Sequence, residues 1–118
     1  MNLRIQGNSL RLRVTQTEVA QLKDGWLVES FIEFGSASPL IYRLETSDFL
    51  PTVAATFDGQ TIRVSVPAQT MTEWVEGDQV GIEAISENSL GVLIEKDFQC
   101  RHKVGEQDPD AYPHPFIS

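Results

Sequence analysis

The strongest constraint on how this 118-residue chain can fold is that it nearly repeats itself. Shifted by 52 residues, the segment from Leu3 to Val14 falls on the segment from Ala55 to Val66. Gly7 then meets Gly59, Leu10 meets Ile62, Arg11 meets Arg63, Leu12 meets Val64 and Val14 meets Val66. The register continues as Val19 with Met71, Leu22 with Trp74, Gly25 with Gly77 and Val28 with Val80. One or two single-residue slips then bring Leu44 and Glu45 opposite Ile94 and Glu95. A spacing of this size marks two copies of one supersecondary unit, each too small to bury a core alone.

Each copy reads the same way. Gly7-Asn8 and Asp58-Gly59 lie between runs of alternating apolar and polar residues, a hairpin signal. Leu10, Leu12 and Val14 point to one face of a strand and Arg11 and Arg13 to the other, because side chains alternate. Ile62, Val64 and Val66 repeat that pattern, with Arg63 and Ser65 outward. Thr15, followed three residues later by Glu18, forms a capping box for a short helix that packs Val19 and Leu22 inward and ends at Gly25. In the second copy Pro67 starts the helix, Met71 and Trp74 form its apolar stripe and Gly77 closes it.

A second hairpin is expected after each helix. Trp26 to Phe34 and Leu40 to Leu44 flank the loop Gly35–Pro39, and Gln79 to Ile85 and Leu90 to Phe98 flank Ser86–Ser89. The fold class is therefore mostly β with two short helices (α+β), as tandem β-β-α-β-β repeats. The repeats span 1–45 and 55–98, joined by a linker at 46–54, within a single domain over 1–102. Residues 103–118 hold Pro109, Pro113 and Pro115 among acidic residues and read as an extended tail.

The stretch Gln60–Ala84, together with Leu90–Glu95, resembles the AbrB/SpoVT swapped-hairpin superfamily. The resemblance rests on Val66-Pro67, the short helix, Gly77-Asp78, Val80 and Ile82. The first copy departs from the pattern, with Thr15 in place of Pro67 and Trp26 in place of Asp78. The resemblance implies that the two copies interlock their hairpins into one pseudo-two-fold barrel, as a monomer with internal pseudo-symmetry or as a homodimer. The whole chain is also similar to a small uncharacterised bacterial family.

Members of that superfamily are DNA-binding regulators or antitoxins. By position, the resemblance nominates Arg4, Arg11, Arg13 and Arg63 for DNA. Charge argues for weak binding, because the formal net charge is −8. Yet residues 1–22 carry three arginines against Glu18 alone, which reads either as the solvent face of a strand or as an anion-facing patch on an otherwise acidic chain. The competing reading is a barrel that binds a small ligand or a protein partner and not DNA. The two separate on whether Arg11, Arg13 and Arg63 cluster free of acids or are neutralised by Glu18, Glu45 or Glu95. A partner-binding role for the tail would use Tyr112, Phe116 and Ile117, flanked by acids. The alternative is that Tyr112 and Phe116 cover an edge strand of their own chain.

Nothing points to catalysis. There is no Gly-x-Gly-x-x-Gly, P-loop, Gly-x-Ser-x-Gly or His-Glu-x-x-His motif. Cys100 and His102, with Asp108, Asp110 and His114 downstream, have no standard metal spacing, so neither a metal nor a cofactor is expected. The lone cysteine excludes an internal disulfide. No apolar run is long enough to span a bilayer, and the first residues lack a leader's apolar core, so a cytoplasmic location is expected.

Overall fold

The structure, a computed structural model, describes residues 1–35, 38–87 and 89–97. Among the described residues, eight strands and two helices alternate as two β-β-α-β-β halves. The first half contains β1 (Asn2–Gln6), β2 (Ser9–Val14), α1 (Gln16–Gly25), β3 (Leu27–Ile32) and β4 (Leu40–Ser47). The second contains β5 (Ala54–Phe57), β6 (Thr61–Pro67), α2 (Ala68–Glu76), β7 (Gly81–Ile85) and β8 (Gly91–Lys96). Among the described residues, no helix is long and apolar enough to cross a membrane.

The turns form where the residue types allow them. Gly7 and Gly59 take positive φ of 55° and 100°, which an L side chain rarely adopts. Asp58 Oδ1 accepts the backbone N–H of Gln60 at 2.9 Å and of Thr61 at 2.8 Å, closing the β5–β6 turn. These two bonds stabilise the carboxylate and hold the Asp58 pKa below its ordinary value.

The sheets are not made one from each half. Sheet A has the order β1-β2-β8-β7 and sheet B the order β3-β4-β6-β5, so each joins a hairpin from either half. Within a hairpin the strands are antiparallel, but the central pairs, β2 with β8 and β4 with β6, are parallel. The two sheets repeat each other's register. One apolar rung of sheet A reads Leu3, Leu12, Ile94, Ile82, and its counterpart in sheet B reads Ala55, Val64, Leu44, Val28. These rungs supply much of a single buried cluster, completed by Leu22 of α1 and by Met71 and Trp74 of α2. Burying one such aliphatic side chain stabilises by about 1.5–3 kcal/mol, so the rungs carry more weight than any surface pair.

The expected barrel is not found. The two parallel junctions lie at the centre of each sheet, and closure would need further junctions between the outer strands β1, β7, β3 and β5. Among the described residues the sheets stay open and four-stranded. The equivalence of Val28 with Val80 also fails. Val28 pairs with Leu44 and Ile82 pairs with Ile94, so Ile82 holds the matching core position while Val80 precedes β7 and is half-exposed. Strand β4 runs on to Ser47 and β5 starts at Ala54, leaving a shorter connection than residues 46–54.

The helix ends differ in an instructive way. The capping box on α1 is present: Glu18 N–H donates to Thr15 Oγ1 at 3.2 Å, and Thr15 N–H donates to Glu18 Oε1 at 2.9 Å. Gly25 ends the helix but is not its C-cap. It is the last helical residue, and Trp26 takes the left-handed conformation at φ 64°. Pro67 sits at the N-cap of α2, one residue before the helix. Gly77 does end α2, but in an extended conformation, and a Cβ there would lie 2.7 Å from Glu73 O. The fully buried Trp74 donates its indole N–H to Val80 O at 3.0 Å, fixing the chain that leaves this cap.

The two glycines therefore respond oppositely to alanine. Gly77→Ala forces a backbone clash and is expected to lower stability by about 1–2 kcal/mol. A Cβ added at Gly25 would meet nothing within 4 Å, so Gly25→Ala is expected to raise stability by roughly 0.5 kcal/mol through the helix preference for alanine. Urea midpoints of the two variants check the signs.

Glu18 generates a pH prediction. Burial acts to raise its pKa, but bonds from the Met1 amino group at 2.6 Å and from Thr15 outweigh burial and hold it below 4.5. A carboxylate with a depressed native pKa contributes stability that is present above its unfolded value and lost as pH falls through the native one. Urea midpoints should therefore drop more between pH 5 and pH 3 for the native protein than for Glu18→Gln.

Candidate functional site

Period-2 alternation sends every second side chain of sheet A away from the core. On β1 and β2 this places Arg4 beside Arg11, and Asn2 beside Arg13. Arg4, Arg11 and Arg13 border one small concavity of about 270 Å³ with Asn2 and Leu3. Beside it a wider trough of about 620 Å³ crosses the sheet from Arg4 and Arg11 to Glu83 and Ile85. Gly91 leaves room in its floor, where an added Cβ would stand 3.1 Å from Ser9 Cβ.

The parallel junction brings an acid to this face. Arg13 is in register with Glu95, and Arg13 Nη2 lies 3.2 Å from Glu95 Oε1. Arg11 Nε reaches the same oxygen at 3.5 Å. One carboxylate thus serves two guanidinium groups, and among the described residues Arg4 has no acidic partner. Glu18, the other acid near these arginines in sequence, is committed to Thr15 and the Met1 amino group.

Arg63 does not join the group. It lies on the outer face of sheet B, in register with Arg43 and Thr56. Its Nε lies 3.2 Å from Glu45 Oε1, and Ser65 Oγ donates to Glu45 Oε2 at 3.4 Å. Arg43 Nε donates to Glu29 Oε2 at 2.7 Å, while its Nη1 stands 3.8 Å from Glu45. Sheet B is thus balanced, with two arginines against two glutamates. The four arginines nominated for DNA split into a cluster of three, two of which share Glu95, and a fourth on another, neutralised surface. Tyr112, Phe116 and Ile117, together with Cys100, His102, Asp108, Asp110 and His114, lie outside the described residues.

A second feature was not visible as a site in the sequence. At the turn end of the molecule the two sheets part to leave a cleft of about 770 Å³. Ile5 and Leu10 of sheet A, Phe57 and Ile62 of sheet B, and Leu40 and Leu90 before or at the central strands line it. These are three pairs of equivalent positions, and no charged side chain borders the cleft among the described residues. Leu10 and Ile62 sit deep, while Ile5 and Phe57 form the mouth and are exposed by 64% and 61%. The strands that carry them, β1 and β5, are edge strands of their sheets. The cleft is held open by the turns around it. Asn8 Nδ2 donates to Ser89 O at 3.0 Å, Gly91 N–H donates to Asn8 O at 3.0 Å, and Ile41 N–H donates to Gln60 O at 2.9 Å. The sequence signal that could have revealed it is the apolar Ile5 and Phe57 at one repeat position, where strands approaching a turn would ordinarily become polar.

The described residues thus form two interleaved β-sheets with a mainly apolar cleft, lined also by Asn8, Ser9 and Thr56, and with an arginine face on sheet A that has Glu95 shared between Arg11 and Arg13. By sequence, the chain belongs to a family of unknown function, DUF7009, whose model matches residues 1–116. No curated protein and no solved structure matches it. The swapped-hairpin superfamily resemblance of the second half thus finds no support among these comparisons.

Because Glu95 alone holds two arginines, Glu95→Gln should expose a basic surface. The variant is expected to elute from heparin at higher salt than the native protein, with a smaller shift for Glu45→Gln, where Arg43 retains Glu29. Stability should change by only about 0.5 kcal/mol in either case, as exposed ion pairs contribute little.

Proposed function

We propose that this is a non-enzymatic binding protein that holds an extended, apolar segment of a protein partner in the cleft between its sheets, and that it is not a DNA-binding regulator. The observation that carries the reading is the cleft itself: free of charged side chains among the described residues, of ligand-pocket size, and flanked by the edge strands β1 and β5. An edge strand offers unpaired N–H and C=O groups to an incoming strand, and a neighbouring apolar pocket selects alternate side chains of that strand. The exposed Ile5 and Phe57 at both sides of the mouth are placed to grip such side chains.

The charge pattern supports the same choice. Phosphate binding releases counterions in proportion to the cations that are free to engage it. Arg11 and Arg13 share Glu95 and Arg63 is held by Glu45, so a duplex would have to displace these carboxylates on a protein of net charge −8. The interleaving of hairpins from the two halves is what a duplicated swapped-hairpin unit would produce, so ancestry within that superfamily is compatible with a lost DNA surface.

The experiment uses the full chain and two fluorescein-labelled probes. A short peptide with valine at alternate positions is expected to bind, and Phe57→Ser or Ile5→Ser should weaken it by about tenfold, the loss of a buried interface anchor. Unchanged affinity in both variants would overturn the cleft. A duplex DNA probe is expected to show no binding at low salt. Steeply salt-dependent binding that disappears in Arg11→Ala and Arg13→Ala would restore the regulator reading.

A further inference from the structure

The arginine face of sheet A is left with more positive charge than its own acids answer, and the chain that leaves this face carries the complement. We propose that the outer face of sheet A is the docking surface for the chain's own C-terminal segment, residues 106–117. The acids Glu106, Asp108 and Asp110 lie against Arg4, Arg11 and Arg13, and Tyr112, Phe116 and Ile117 cover the apolar end of the trough. This does not depend on what the cleft between the sheets binds.

Charge is the first argument. On β1 and β2 Arg11 and Arg13 share Glu95 while Arg4 has no acidic partner among the described residues, and the remaining acid of the face, Glu83, stands beyond Leu93 on β7. The equivalent face of sheet B has no such excess, because Arg13 is replaced by Ser65 and Arg4 by Thr56, while Arg43 comes with Glu29. Residues 106–110 place three acids within five positions of the sequence. Lysine or arginine does not occur after Lys103.

The apolar pattern is the second argument. The trough passes from the arginines to Leu93 and to Ile85, which is 76% exposed, with Gly91 leaving its floor open between Ser9 and Ile85. A face that is basic at one end and apolar at the other matches a segment that is acidic first and then holds Tyr112, Phe116 and Ile117. Pro109, Pro113 and Pro115 keep such a segment extended and lower the entropy it loses on docking.

Direction and reach complete it. Strand β8 runs from the Gly91 end of the trough to the Arg13 end, and Asp97 N–H donates to Val14 O at 2.8 Å, so the chain leaves sheet A beside Arg13. Residues 98–105 lie between this exit and the first acid of the segment. At about 3.3 Å per residue they allow close to 30 Å before the first acid, against roughly 20 Å for the length of β8. The acids then meet the arginines before the aromatic residues reach Ile85. A tail held this way also covers the arginines in the intact chain.

The test is paramagnetic relaxation in the full chain, with Cys100→Ser and a nitroxide on Ser118→Cys. Broadening of the β2 and β8 amides, Arg11 and Leu93 among them, is expected, with the matching amides of Arg63 and Arg43 unaffected as an internal control. Equal broadening of both sheets, or none, would overturn the proposal. Asp108→Lys with Asp110→Lys should abolish the effect without touching any residue of the sheets. Adding Arg11→Glu and Arg13→Glu to that pair should restore it, and failure of this reciprocal exchange in a chain with native circular dichroism also overturns it. Loss of the broadening only when DNA is added, with the charges unchanged, would mean that the face is open to nucleic acid.

Discussion

Everything in this molecule rests on two parallel strand pairings, β2 with β8 and β4 with β6. Each hairpin is short and would bury one face of two strands, which is too little to remain folded in water. Joining a hairpin from the first half to one from the second gives each sheet four strands and puts Leu12 beside Ile94 and Val64 beside Leu44. Those four side chains are completely buried, and the helices only complete the cover with Leu22, Met71 and Trp74. Neither half can make these contacts within itself. The fold is therefore expected to form as a unit, with long loops closed before the central pairs exist.

The same pairings decide the surface chemistry. Because β8 lies along β2, Glu95 arrives beside Arg13, which is 82 residues away in sequence. Because β6 lies along β4, Glu45 arrives beside Arg63. A repeat gives both sheets a glutamate at that rung, and the small differences between the copies then separate their roles. Ser65 in place of Arg13 leaves sheet B neutral, and Arg13 leaves sheet A with a shared carboxylate. The pairing also ends at the turns, where the sheets diverge and the apolar residues of both copies are left around an open cleft.

Much of the local structure was legible beforehand. Gly7, Asp58 and Gly59 mark turns through backbone chemistry, and Thr15 with Glu18 caps α1 as their spacing requires. The alternation of Leu10, Leu12 and Val14 against Arg11 and Arg13 predicts which side of β2 is buried. Less was legible at element ends. Gly25 read as the C-cap of α1, yet it is the last helical residue and Trp26 is the cap, in the left-handed conformation, where Thr46 N–H donates to Trp26 O at 3.0 Å. Val80 looked equivalent to Val28, but the chain after Gly77 takes a different path around Trp74 and delivers Ile82 to that position. The candidate arginines came from the family resemblance, and Glu45 and Glu95 were among the acids named against them, but which acid meets which arginine was open, since alternation tells which face a residue is on and not which strand lies next to it.

By itself, then, the sequence determined the number and kind of elements, the duplication of their pattern and the facing of each strand. These follow from backbone sterics and the two-residue period, both of which act between near neighbours. Only the tertiary structure decided which hairpins pair, that the sheets stay open, which acid meets which arginine, and that a cleft lies between Ile5 and Phe57. Those depend on contacts between residues far apart in the chain, such as Leu12 with Ile94, where the energy lies in burying apolar rungs across the halves and no local rule selects the partner.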